Sequence, residues 1–373
     1  MKKILFVHHG DTNGGAPRSL RFLIERLDRS EYEPVVVHRT NETDGAFFEE
    51  VNARTIFEPN IKPFHGSTVS GITFKQIVYN FVYALPSYFA MKRIVERERP
   101  DIVHLNSTCL FMCAAATKKV NKKTKVICHV REPLLPNIWG SVLRLMNNKF
   151  CDRFIAIDEF DGRSVDALGV KTKIVYNFVD FSVYNKYVQS TVLRDELNLQ
   201  DDDVIFLILA RVSPENGILE IIGQWKKVRD KHSQLVIVGE INKKTDYCLK
   251  CHAAIEGAAN IHILPFRKDV PRVIASADVI TCSFTQPHFA RMIIEGAAMG
   301  KPAVSVNIDG PKELVLHGKT GFLYNNEEEL IQAVNKFTND SEVRQQMGIA
   351  AEQLALKKFN ADINAKKTIE IYG

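Results

Sequence analysis

Three short stretches carry residue types suited to chemistry on a phosphorylated substrate. In GDTNGGAPRSL, residues 10 to 20, Gly14 and Gly15 permit a tight turn with outward-pointing amides, and Pro17 suits the first turn of a helix. A glycine pair opening a helix can cradle a phosphate or another anion, and it also occurs as a plain strand-to-helix turn. In ILARVSPENGILEII, residues 208 to 222, Arg211 stands just beyond a strand and Asn216 with Gly217 starts a helix. A guanidinium there can hold a diphosphate bidentately as its leaving charge grows, although a lone arginine after a strand also serves as a surface ion-pair partner. The third stretch, Ser283 to Tyr324, supplies a loop, a helix bearing Glu295, the turn Gly300-Lys301-Pro302, a strand, and a second loop with Gly310-Pro311 at a helix start. A fourth string, Cys248-x-x-Cys251-His252, has half the spacing of a metal or haem site. No second Cys/His pair follows at a ligand-like distance, so it reads as a surface helix.

Parallel strands joined by helices are what would position these loops. Runs rich in Val, Ile and Phe alternate with helical stretches, the pattern of βαβ units. Seven runs in the first half, from Lys3–His8 to Lys173–Tyr176, and six in the second, from Val204–Leu209 to Gly321–Tyr324, predict two doubly wound α/β domains. The seam falls after residues 176 to 184, YNFVDFSVY. The divisions are therefore 1–180, 181–355 and a C-terminal helix, 356–373, packing back on the first domain. In such sheets ligands bind beyond the carboxyl ends of the strands, which is where the glycine, arginine and glutamate loops sit.

A chain of 373 residues suits two domains, and 45% hydrophobic with 25% charged residues excludes a disordered or fibrous chain. The net charge of +5 is local: residues 51 to 150 hold 15 Lys/Arg against 5 Asp/Glu, whereas 181 to 373 hold 23 against 24. No nucleic-acid recognition motif accompanies the basic region. Seven irregularly spaced cysteines suit a reducing compartment, and the opening MKKILFVHHGD reads as a strand rather than a signal peptide, so a cytoplasmic location is expected. Residues 74 to 95, FKQIVYNFVYALPSYFAMKRIV, read as a half-buried helix pair interrupted at Pro86. Their aromatic content and the following Arg97 and Arg99 also suit a face lying on an anionic membrane, at the inner side of the plasma membrane.

The order of the motifs resembles the GT-B glycosyltransferases of the family 4 type. It takes in the Gly-Gly helix start, DIVHLNS at 101 to 107, the YNFVD seam, the Arg211 loop, LVIVGE at 235 to 240, ILPFRKDVPRVIASADV at 263 to 279 and the Glu295 and Gly310 segments. The resemblance implies a GT-B fold, two Rossmann-like domains facing an interdomain cleft. It implies transfer of a sugar from a nucleotide-sugar donor to a glycan or lipid-linked acceptor, retention at the anomeric carbon, and neither metal nor cofactor. On this reading Glu295 accepts from the ribose hydroxyls, Arg211 neutralises the diphosphate, and the amides near Gly310 to Glu313 support it. The acceptor lies near Gly14, Gly15 and His104, and one of His129, Arg131 and Glu132 in ICHVREP, 127 to 133, stands beside the reacting sugar.

Two positions depart from the family pattern. Asn216 stands where a lysine is usual, and Pro287, flanked by Gln286 and His288, stands where a first glutamate is usual. Arg267, Arg291 and Lys301 are the cations expected to compensate, with Gln286 or His288 taking over hydroxyl recognition. The alternative is a glycosyltransferase-like binding protein that has lost catalysis.

Overall fold

The computed structural model describes residues 1–12, 15–66 and 72–373, so Gly14 lies outside the described residues. The chain divides into two compact units, Met1–Asn177 with Ala361–Gly373, and Phe178–Asn360. The first contains β1 (Lys2–Val7), β2 (Tyr32–His38), β3 (Arg54–Phe57), β4 (Ile102–Leu105), β5 (Lys125–Val130), β6 (Arg153–Ala156) and β7 (Thr172–Ile174), all parallel, in the order β3-β2-β1-β4-β5-β6-β7. The second contains β8 (Val204–Leu209), β9 (Ser233–Glu240), β10 (Ile261–Pro265), β11 (Val279–Cys282), β12 (Ala303–Val306) and β13 (Gly321–Tyr324), in the order β10-β9-β8-β11-β12-β13. Both are mixed α/β units of Rossmann type, and in both the winding reverses beside the first strand, between β1 and β4 and between β8 and β11.

The near-continuous apolar strands follow from burial on both sheet faces. In the first unit Leu5, Val7, Val35, Val37, Val103 and Leu105 pack on one face under the long helix Phe74–Glu98. Ile4, Phe6, Val36, Ile102 and Ile127 pack on the other, with Leu20, Leu23 and Ile24 of the helix Gly15–Glu25. The period-two alternation along each strand sends its neighbours to opposite cores.

Two expectations change. The segment 74–95 is not a helix pair but part of one helix, Phe74–Glu98, with Pro86 inside it. An internal proline removes one helical hydrogen bond, at a cost of roughly 3 kcal/mol. Here Pro86 lies on the exposed face, while Ala90, Met91, Ile94 and Val95 beyond it are buried and hold the helix together. The boundary at 355 cuts the helix Ser341–Lys358, which belongs wholly to the second unit. The Cys248/Cys251 string forms a surface helix, Asp246–Ile255, with both thiols on its inner face and His252 Nε2 2.6 Å from Glu240.

The final helix, Ala361–Tyr372, completes the first unit's core. Tyr372 is buried between Phe6, Tyr32 and His104, and its hydroxyl lies 2.7 Å from His104 Nδ1. Asn364 Nδ2 donates to the Tyr176 carbonyl at 2.9 Å. His104 is therefore a core residue, completely buried, and burial holds its imidazole down to about 3. Tyr372→Phe strips the only partner His104 has among the described residues. It is expected to destabilise the first unit by about 1–3 kcal/mol, read as a lower denaturant midpoint with an unchanged slope.

Candidate functional site

In the second unit three loops meet at the carboxyl ends of β8, β11 and β12. The loop after β8 carries Arg211, then a short 3-10 turn, Pro214–Asn216, and Gly217 at φ 65°, which opens the helix Ile218–Trp225. Asn216 is buried. Its Nδ2 donates to the Arg211 carbonyl at 2.8 Å and to Ser213 Oγ at 3.2 Å, and its own carbonyl accepts from Ser283 Oγ at 2.9 Å. The side chain at 216, where a lysine is usual, is thus turned inward, where it braces the loop.

The loop after β11 packs directly on this brace. Thr285 N donates to the Glu215 carbonyl at 3.0 Å, and Thr285 Oγ1 to the Pro214 carbonyl at 2.8 Å. A Cβ on Gly217 would fall 1.9 Å from the Ser283 oxygen, and one on Gly310, at φ 86°, 2.4 Å from the His288 oxygen. Glycine is required at both places on two counts, the left-handed backbone and the backbone contact.

Between these contacts the His288 ring stacks on Phe284 with centroids 3.7 Å apart, and its Nδ1 lies 2.8 Å from the Gln286 carbonyl. Burial lowers the His288 pKa, and the Arg211 charge lowers it further, so the two side chains share one environment. His288 is thus part of the loop packing itself, through its carbonyl against Gly310 and its ring on Phe284.

Glu295 lies on the helix Arg291–Ala298, whose Gly296 sits tight against Ile280 of β11. Its side chain is 12% exposed, and its Oε1 accepts from Arg291 Nε at 3.3 Å and Nη2 at 3.2 Å. Arg291 is therefore committed to Glu295. The other two expected cations lie elsewhere. Arg267 follows β10, two strand spacings or about 10 Å from β8, and is gripped by Asp269 at 2.7 Å and Glu196 at 2.6 Å. Lys301 precedes β12, at the opposite end of the sheet, where its buried Nζ donates to the Ala275 carbonyl at 3.1 Å. Arg211 is exposed, and its side chain makes no hydrogen bond or ion pair among the described residues. A cation that motif reading passed over is Lys312, beside Gly310, in an ion pair with Asp309 at 2.9 Å.

In the first unit the equivalent crevice is lined by a polar chain running across β1, β4 and β5. His8 Nδ1 lies 3.1 Å from Asn106 Nδ2, and Asn106 Oδ1 accepts from Arg131 Nε at 2.8 Å. Arg131 Nη2 lies 3.4 Å from His129 Nδ1. His129 is buried, and burial with the Arg131 charge holds it well below its ordinary pKa, so it is neutral. Glu132 reaches solvent, yet the protein packed around its carboxyl pushes it up to about 7. Asn106, which joins the strands, gave no signal in the sequence beyond its place at a strand end. Gly15 opens the helix Gly15–Glu25 at this same edge.

Comparison with known proteins matches the model of the glycosyl transferases group 1 over residues 189–354 and that of Glycosyltransferase Family 4 over 13–183. An uncharacterised glycosyltransferase, MJ1607, of Methanocaldococcus jannaschii is 22% identical over 54% of this chain and 54% of its own length; the chain thus spans about half of that relative. The lipopolysaccharide 1,2-N-acetylglucosaminetransferase of Salmonella typhimurium is 25% identical over 72% of this chain and 71% of its own. The crystal structure of Anabaena Alr3699/HepE in complex with UDP shares the fold at a TM-score of 0.80. It is 21% identical, covering 100% of this chain and 99% of that one. Two family models matched in order on two Rossmann-like units, each with its loops gathered at the switch between inner strands, place this chain among the GT-B glycosyltransferases of the family 4 type.

Proposed function

We propose that the protein transfers a sugar from a nucleotide-sugar donor to a glycan or glycolipid acceptor, with retention at the anomeric carbon and without a metal, in the synthesis of a cell-surface polysaccharide or glycolipid. The observation that carries this reading is Arg211, an exposed guanidinium with no partner among the described residues, on a loop locked from beneath. When the anomeric C–O bond breaks, its electron pair goes to the diphosphate, and the acceptor hydroxyl forms the new bond as its proton leaves. A fixed cation aimed at the departing oxygens stabilises that step without reorganisation. Glu295 accepts from the ribose hydroxyls, Gly310 and the amides that follow add dipole support, and His288 presents its ring edge to the sugar. His129, Arg131 or Glu132 stands beside the reacting carbon, with Gly15 at the acceptor edge. Similarity to a lipopolysaccharide 1,2-N-acetylglucosaminetransferase and to a structure in complex with UDP supports the donor and acceptor classes. With the donor diphosphate held by side chains and amides, the residues present suit a metal-free reaction. The protein, incubated with a panel of sugar nucleotides and acceptor extract, is expected to release nucleoside diphosphate, and Arg211→Gln to lower that rate by about 100-fold or more. Silence of the folded protein across the panel would sink the reading.

The helix Phe74–Glu98 supports contact with an anionic membrane at the cytoplasmic face. Its outward stripe is apolar at Phe74, Val78, Phe81, Val82, Leu85 and Phe89 and basic beyond, at Arg93 and Arg97. Its inward face holds polar Asn80 and Ser87, bonded to the backbone of His65 and Lys62. No described helix is long and apolar enough to cross a membrane. Flotation with phosphatidylglycerol vesicles is expected, with little binding to phosphatidylcholine alone. The pair Phe81→Glu and Leu85→Glu should abolish it, and unaltered flotation would refute the contact.

A second reading, a sugar-nucleotide-binding protein without catalysis, is favoured by one observation: Asn216 is sealed into its loop, and none of Arg267, Arg291 and Lys301 is available in its place. Asn216→Lys combined with Pro287→Glu distinguishes the two. Activity appearing where the parent has none supports loss of catalysis, whereas a drop in existing turnover supports a site working through Arg211 alone.

A further inference from the structure

We propose that the first unit binds an anionic group of the acceptor, a phosphate or diphosphate ester on an apolar chain, between Arg39 and Lys62. The word acceptor rests on the transferase reading above; the binding of the ester does not.

Loops leaving the carboxyl ends of β1, β2 and β3 bring His9, Arg39, Lys62 and His65 together on this unit. Arg39 Nε donates to the His9 carbonyl at 2.7 Å, which fixes the plane of the guanidinium. Its two Nη groups have no partner among the described residues, and Arg39 is only half-exposed. Lys62 Nζ lies 5.5 Å from the Tyr83 ring centroid and makes no ion pair among the described residues. Several other cations of the same unit are paired with carboxylates: Lys118 with Asp152 at 2.6 Å, Arg21 with Glu50 at 2.7 Å, and Arg54 with Glu98.

The uncompensated charge is felt by its neighbours. Arg39 lowers the pKa of Lys62 and of His65, in each case after burial, which is the larger cause. Burial, His8, Arg39 and His65 together hold His9 down to about 3, leaving it neutral. Two fixed cations flanked by neutral imidazoles are a poor arrangement for an empty surface. They form a good one for a group with several charged oxygens, which a fixed guanidinium can hold bidentately.

The adjoining helix indicates what else the ligand carries. The His65 ring lies 5.2 Å from Tyr79, and Tyr79 lies 4.4 Å from Tyr83, both on Phe74–Glu98. The same helix presents the outward apolar stripe of Phe81, Leu85 and Phe89. A head group between Arg39 and Lys62 thus has the Tyr79 and Tyr83 rings beside it, and the helix that carries them also presents an outward apolar stripe, which a free anion would leave unused.

Calorimetry with geranylgeranyl phosphate, geranylgeraniol and inorganic phosphate, each in the same detergent, tests the proposal. The ester is expected to bind at least tenfold more tightly than either the alcohol or inorganic phosphate. Arg39→Gln and Lys62→Gln should each weaken the ester fivefold or more without changing the alcohol, and Arg39→Lys should keep part of the affinity, which separates charge from folding. Ester binding should also raise the His65 pKa followed by NMR, which a purely structural arginine would not do. Equal affinity for ester and alcohol, equal affinity for ester and inorganic phosphate, or an ester affinity unmoved by both glutamine variants overturns it. Failure of every sugar nucleotide with ester binding intact refutes the transferase reading alone.

Discussion

The contacts on which the second unit's chemistry depends are between backbones. The carbonyl oxygens of Ser283 and His288 lie so near Gly217 and Gly310 that no Cβ fits between them. Three loops that leave different strands are thereby held in one arrangement, and Asn216 closes the innermost with hydrogen bonds on both sides. Interiors of this density transmit position well, because a backbone contact has no rotamer to relax into. A guanidinium on such a loop needs no induced order before it meets a diphosphate. Arg211 is placed that way, with its carbonyl pinned and its side chain exposed.

Electrostatics differ between the two units in a way that suits a division of labour. The second unit is close to neutral, and around its site charges are mostly paired internally: Arg291 with Glu295, Arg267 with Asp269 and Glu196, Lys312 with Asp309. One open cation then acts with little competition. The first unit carries the positive excess, and at its crevice imidazoles and guanidinium groups meet without a matching carboxylate at Arg39 or Lys62. A surface that keeps like charges close together at rest favours ligands that bring negative charge.

The helix Phe74–Glu98 joins these themes. Its C-terminal half buries Ala90, Met91, Ile94 and Val95 in the ordinary way, but its N-terminal half buries asparagine and serine against backbone groups and turns phenylalanine and leucine outward. Polar side chains inside are tolerated because each finds a backbone partner, so no desolvated group is left unpaired. The outward apolar stripe stays largely exposed, with only Phe81 set edge-on to Trp139, which makes it the largest unmatched apolar face of this helix.

Strand content and winding were legible from the chain alone, because strands buried on both faces must be written as runs of Val, Ile, Leu and Phe such as 204 to 209 or 234 to 238. The places of Gly217 and Gly310 in loops that leave strands, and of Glu295 on the helix after β11, were legible for the same reason, because each follows such a run. What local patterns could not reveal was direction. Asn216 stood out only as a departure from the usual lysine and proved to be a brace. Arg267 and Lys301 looked like nearby cations, yet one lies on an edge strand and the other at the amino end of the sheet. His104 looked like a site residue and is sealed by Tyr372, 268 positions away in the chain. Sequence determines which residues are available, through spacing and hydrophobic period. Which of them face a ligand is decided by contacts between segments far apart in the chain, and only the folded structure brings those together.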